Sequence, residues 1–295
     1  MFPDNRGGNV VMKKGKILAV ALVVVILSSL SAFADDTKIG VLAKAGMTEE
    51  EFTASVAKVW KWSVIDELHK NGANIYYFYD SVNSMLLALM RGDIQEIELP
   101  RTIAEYVIAT NPGHKISCVL GTTEADFVFG FLRDDKGAEL QRKFNGAIRT
   151  LKKDGTLEAL QKEYITNPKY DSLKPAEFAK FDGAETIKVA ITGDVPPIDF
   201  IAPDGQAVGF NVALLSEIGK ILGANIELVE VDAIARTPSL TSGRVDAVFW
   251  YQVVVGAEIQ HDIPEEVIVS ESYYDWDTFV HIRKADASDT EDEEE

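Results

Sequence analysis

One cysteine in 295 residues, Cys118, excludes an intramolecular disulfide. A lone thiol of this kind is more often a small apolar packing residue than a nucleophile. Four scattered histidines, with no Cys/His spacing, carry no zinc signature, so neither metal nor cofactor is expected. Positive charge is scarce: 29 Lys and Arg stand against 47 Asp and Glu. Such a balance argues against nucleic acid, because phosphate binding needs basic neutralisation. No Ser/His/Asp set, phosphate loop or paired-carboxylate signature stands at a convincing spacing. No enzyme is expected on that ground.

The one long apolar run, Ile17–Leu30, is short for a membrane span. Lys13, Lys14 and Lys16 precede it, and Ala32-Phe33-Ala34 forms an A-x-A motif. Residues 1–34 therefore read as a cleavable export signal cut after Ala34, with Met12 as initiator and 1–11 as an upstream extension. No cysteine follows the run, so no lipoprotein anchor is expected. Removing the signal leaves 25 basic and 46 acidic residues, a net charge of −21. Seven of the acids lie in the tail Ala285–Glu295, which has little apolar surface to bury and is expected to be disordered.

The remainder is long enough for two units of ordinary size. Alternating apolar positions and helical spacings follow one another along it. Lys38–Leu42, Ile75–Tyr79, Ile94–Leu99, Ile116–Gly121 and Phe127–Arg133 read as strands. Thr48 with Glu51 forms a capping box that opens a helix running to Asn71-Gly72. Helices follow at Val82–Met90, capped by Ser81, and at Thr102–Thr110, Glu139–Lys153 and Thr156–Tyr164. Asn167–Asp182 reads as a linker. Alternating strands and helices imply α/β units on a mainly parallel sheet.

Glu185–Tyr251 is the most informative stretch. Ile187, Val189 and Ile191 alternate as a strand that Gly193-Asp194-Val195-Pro196-Pro197 stops. Pro203-Asp204-Gly205 turns between Ile198–Ala202 and Gln206–Gly209. Val212, Leu215, Ile218 and Leu222 recur at helical spacing, with Gly223 as the stop. Ile226–Val231 is a strand, Ser239–Gly243 closes a short helix, and Val245–Tyr251 suits a buried strand.

The words GDVPPIDF, PDGQAVGFNVALLSEIGKILG and PSLTSGRVDAV resemble the first lobe of the family 3 extracellular solute-binding proteins, the periplasmic amino-acid receptors of ABC transporters. YDSVNSMLLALMRGDIQEIEL and KKDGTLEALQKEY resemble that family's second lobe and closing helices. The resemblance implies an α/β, two-lobed periplasmic binding protein type II fold. It also implies a small polar or zwitterionic, amino-acid-like ligand and an inner-membrane ABC permease as partner. The expected protein is a periplasmic monomer. Its parts stand in a different order from the family's. Residues 38–133 resemble the second lobe, 134–182 hold helices and linker, and 183–284 resemble the first lobe. Joining Lys284 to Lys38 restores the family order, so a circular permutation opened at the hinge is expected. A frame shared by Leu89–Ile94 and Leu240–Val245 fits two related lobes.

Ligands of such folds sit between the carboxyl ends of the strands. The candidates there are Asp194, Ile198, Arg236, Trp250, Tyr251, Gln252, Glu98 and Arg101. Trp250 and Tyr251 offer a stacking wall or continue a core strand. A desolvated zwitterion needs a guanidinium and a carboxylate. The family's arginine after the strand ending at Tyr251 has no counterpart, because no Arg or Lys lies between Arg244 and Arg283. The family's Gly-Thr-Thr loop is replaced by Ala43–Thr48. A rearranged ligand set is therefore expected, with Glu98, Arg101 and Arg236 as substitutes. Two other functions fit the same residues: a sensing or protein-contact module with a degenerate cleft, and a periplasmic enzyme using Glu98 or Asp194.

Overall fold

Each segment begins and ends where its local chemistry demands. The computed structural model describes residues 36–285 apart from 45–46, 60–73, 167, 258–259 and 261. The expected export signal, the far part of the first helix and the acidic tail beyond residue 285 lie outside these residues. Strand β1 (Thr37–Leu42) is followed by helix α1 (Glu49–Val59). A reciprocal capping box opens α1: Thr48 Oγ1 accepts from the Glu51 amide at 3.2 Å, and Glu51 Oε2 accepts from the Thr48 amide at 2.9 Å. Next come β2 (Asn74–Tyr79), α2 (Val82–Arg91), β3 (Glu96–Pro100) and α3 (Arg101–Thr110). Ser81 caps α2 by accepting from the Ser84 amide at 3.1 Å.

The strands expected at 116–121 and 127–133 are one 17-residue strand, β4 (Ile116–Leu132). The polar residues Thr122, Thr123, Glu124 and Asp126 look like a break in sequence, but they mark where β4 passes from one lobe to the other. Its partner changes along its length, from β12 (Tyr274–Lys284) to β10 (Ala247–Val254) and β11 (Val267–Val269). Helices α4 (Asp135–Asp154) and α5 (Thr156–Gln161) follow. α4 starts four residues before Glu139 because Asp134 caps it, accepting from the Gly137 amide at 2.7 Å. It buries Leu140, Phe144, Ala147, Ile148 and Leu151, one face at helical spacing.

The remaining elements are β5 (Thr186–Ile191), the small hairpin strands β6 (Asp194–Val195), β7 (Asp199–Ile201) and β8 (Ala207–Val208), α6 (Phe210–Leu222), β9 (Asn225–Glu230) and α7 (Arg236–Thr241). Gly223 ends α6 in the left-handed region at φ 61°. Helix α6 buries Leu214, Leu215 and Ile218 in the main core. Truncating any of these to alanine costs about 2–5 kcal/mol.

The pairing has one pattern, used twice. In the N-lobe the order is β2-β1-β3-β12-β4; in the C-lobe it is β9-β5-β10-β4-β11. In each, the lobe's first strand is flanked by its second and third. A strand arriving from the other lobe lies next, and the last strand closes the edge. β4 and β12 run antiparallel across both lobes, with register shifts between Tyr274 and Asp277 and between Thr278 and Val280. Such bulges bend a ladder, which suits a pivot. The result is a mixed α/β fold of two lobes. The first and last strands of the sheet in chain order flank Glu96, which pairs with Ile39 on one side and Arg283 on the other. Thr37 and Lys284 thus lie about two strand spacings apart, ~10 Å.

Candidate functional site

The two lobes meet where Lys44, just after β1, contacts Gln252 of β10. From the C-lobe side, the loop after β5 is held rigidly. Asp199 Oδ1 accepts from the Thr192 amide at 3.1 Å, the Thr192 hydroxyl at 3.0 Å and the Gly193 amide at 2.7 Å. Gly209 holds φ 129°, and an added Cβ would sit 2.2 Å from the Ile198 carbonyl oxygen. Only glycine permits that approach. The first amides of α6 are consumed there, Phe210 donating to Pro197 O at 3.0 Å and Asn211 to Ile198 O at 2.9 Å.

Strand β10 carries a bulge between Val248 and Tyr251, and Trp250 takes φ 68°. A bulky residue there costs about 1–3 kcal/mol, so neighbours must over-determine it. They do. The Trp250 amide donates to the Tyr273 hydroxyl at 3.2 Å, and Arg236 Nη1 donates to the Trp250 carbonyl at 2.7 Å. The indole stacks on Phe127 at 3.7 Å between centroids and 11° between planes.

Arg236 bonds within the C-lobe through each of its three nitrogens. Nη2 meets Asp262 Oδ1 at 2.8 Å, Nε donates to the Ala233 carbonyl at 3.1 Å, and the guanidinium lies 5.0 Å above the Tyr251 ring. Both members of the ion pair are buried. Asp262 Oδ2 also accepts from the Gln252 amide at 3.1 Å. From the opposite lobe, Lys44 Nζ crosses the cleft and donates to Gln252 Oε1 at 3.1 Å. Burial pulls the Lys44 pKa down; Asp262 and Glu98 oppose this, and Arg236 adds to it.

Behind Lys44, His281 on β12 lies between two carboxylates of β3. Its Nδ1 is 2.6 Å from Glu96 Oε2, and its Nε2 is 3.3 Å from Glu98 Oε2, too poorly aligned to hydrogen-bond. Glu96 and Glu98 share a face because they are two apart on a strand. Burial alone would lower the His281 pKa, but the two glutamates raise it to about 9. At neutral pH the imidazole is charged.

The eight candidates are thus distributed. Arg236, Trp250, Tyr251 and Gln252 join one cluster through Asp262, and Lys44 links it to the neighbourhood of Glu98. Tyr251 is fully buried, with its hydroxyl 2.7 Å from Thr237 Oγ1 and its ring across Gly130. Trp250 is also enclosed, at 4% exposure, and Ile198 lies in the core. Asp194 is half-buried, its pKa raised to about 6 by burial and then by the neighbouring Asp199 carboxylate. Arg101 stands apart at the surface, paired with Glu105 at 2.7 Å. Lys44, Asp262 and His281 were not among the candidates. The position of Lys44 directly after a strand was a usable signal; Asp262 lies in a segment without motif or period.

Residues 187–288, about a third of the chain, match the model of the bacterial extracellular solute-binding proteins, family 3. That segment is similar in sequence to the family. No curated protein matches it. Among solved structures, the methionine binding protein MetQ is 14% identical, over 88% of this chain and 86% of that one, with a TM-score of 0.43. A putative methionine-binding lipoprotein from Bacillus subtilis is 11% identical, over 86% of each chain, with a TM-score of 0.42. The ligand-binding component of an ABC-type import system from Staphylococcus aureus, with zinc bound, is 10% identical, over 87% and 68%, with a TM-score of 0.42.

Proposed function

We propose that the chain is an exported receptor. It closes two lobes around a small, polar, amino-acid-like solute and passes it to an inner-membrane ABC permease. The match of residues 187–288 carries this reading. The crossing strands β4 and β12 supply a pivot, and a solute that contacts both lobes favours the closed arrangement by its differential affinity. On this reading the protein works as a periplasmic monomer without catalysis.

The connectivity supports a circular permutation of the ordinary receptor. The first strand and the end of the last flank the same residue, Glu96, and neighbouring ends make such a cut inexpensive. The domain limits then follow the lobes, with residues 38–133 and 183–284 as cores and 134–182 as helices and connection.

A second reading is favoured by the state of Arg236, each of whose three nitrogens donates within the protein itself. A cleft satisfied internally suits a sensing or protein-contact module. A thermal-shift screen of the chain from residue 35 onward against small metabolites separates the two. A saturable rise with one compound, without product, supports the receptor. The absence of any rise supports the contact module, and turnover of the compound overturns both.

A further inference from the structure

We infer that the Lys44 ammonium anchors the acidic group of the solute, so that the charge for it comes from the N-lobe across the cleft. This rests on the receptor reading above and assigns its polar contacts. Three observations carry it.

An ammonium has three donors. Lys44 uses one, on the neutral carbonyl oxygen of Gln252, and among the described residues it has no carboxylate within ion-pair distance. The ammonium bonds only a neutral amide, while the carboxylates that act on it, Asp262 and Glu98, stand beyond contact. A carboxylate arriving there would gain a charge-assisted bond and displace nothing stronger than one amide contact.

The other cation of the cleft is unavailable. Arg236 spends its Nε, Nη1 and Nη2 on Ala233, Trp250 and Asp262. Freeing it would strand Asp262, which is 3% exposed, and release the backbone of Trp250.

Finally, the charges of the cluster balance. Lys44, Arg236 and protonated His281 stand against Asp262, Glu96 and Glu98. A solute of zero net charge keeps the balance. Its cationic end is drawn to Glu98, whose Oε2 is buried and makes no hydrogen bond. A zwitterion meets both conditions, its carboxylate on Lys44 and its ammonium on the Glu98 side. Gln252, released from Lys44, turns its amide N–H toward the same carboxylate.

The test is isothermal titration of the chain from residue 35 onward, first with each of the twenty common amino acids. The wild type is expected to bind at least one. With that amino acid, Lys44→Met should weaken binding tenfold or more while Lys44→Arg recovers most of it. The matching amine, lacking the carboxylate, should bind wild type at least tenfold more weakly and should lose nothing further in Lys44→Met. A loss below tenfold in Lys44→Met, or an amine penalty undiminished by it, overturns the assignment. If the wild type binds none of the twenty, the receptor reading for amino acids itself fails. If Lys44→Met folds poorly, Lys44→Gln takes its place in both comparisons.

Discussion

Asp262→Ala is the perturbation that interrogates the cleft most severely. The substitution leaves the Arg236 guanidinium enclosed with two carbonyl partners and no counter-charge. Removing one member of a buried pair costs about 3–5 kcal/mol, because the survivor keeps its desolvation penalty. The Gln252 amide loses its acceptor as well. For a protein of this size each kcal/mol moves the melting temperature by about 2–4 °C, so the variant should melt ~10 °C below wild type by calorimetry at pH 7. The double variant Arg236→Met/Asp262→Leu removes both charges and should recover most of that loss, since apolar replacement of a buried pair is often neutral or stabilising. A single variant within ~1 kcal/mol of wild type, or a double variant no better than the single, would refute the reasoning.

Two further outcomes concern pH. Asp277 on the crossing strand is 5% exposed, and burial raises its pKa to about 6. A carboxyl whose folded pKa exceeds its ordinary 3.8 stabilises the fold fully below that value and loses the contribution as pH rises through about 6. Asp277→Asn should remove this loss, worth ~3 kcal/mol, and urea melts from pH 4 to 8 should show the variant gaining on wild type; parallel curves would count against the claim. His281 is likewise raised, to about 9. Its stabilisation is complete below about 6.5 and disappears as pH passes 9, so His281→Gln should flatten the alkaline fall in stability. An unchanged alkaline limb would exclude the charged triad.

Much of the architecture was readable from local chemistry. The boxes at Thr48/Glu51 and Ser81 and the stop at Gly223 are where residue type dictated, because capping depends on neighbours in the chain. The period-two and helical spacings of Ile187–Leu222 placed β5 and α6 for the same reason. Strand β4 was not readable as one element, since the polar Thr122–Asp126 passage is stabilised by partners more than a hundred residues away. The site was legible only in outline. Trp250, Tyr251 and Gln252 were marked by their place at a strand end. Their burial depends on the bulge and the left-handed turn at Trp250, which pairing imposes. Arg236 was singled out as a charge near the strand ends, but its partner Asp262 lies 26 residues on, with no periodic relation to it. His281 between Glu96 and Glu98 needed the register of β12 on β3, a tertiary fact.

The central claim is that two lobes pivot on β4 and β12 and that a solute holds them together. Spin labels at Leu87→Cys on α2 and Ile234→Cys before α7, both exposed, report the distance between lobes once Cys118 is replaced by serine. Pulsed dipolar spectroscopy, with and without the amino acid found by titration, tests the claim directly. The account predicts a broad or longer distribution without solute that collapses to one short distance with it. An identical distribution in both samples would contradict it.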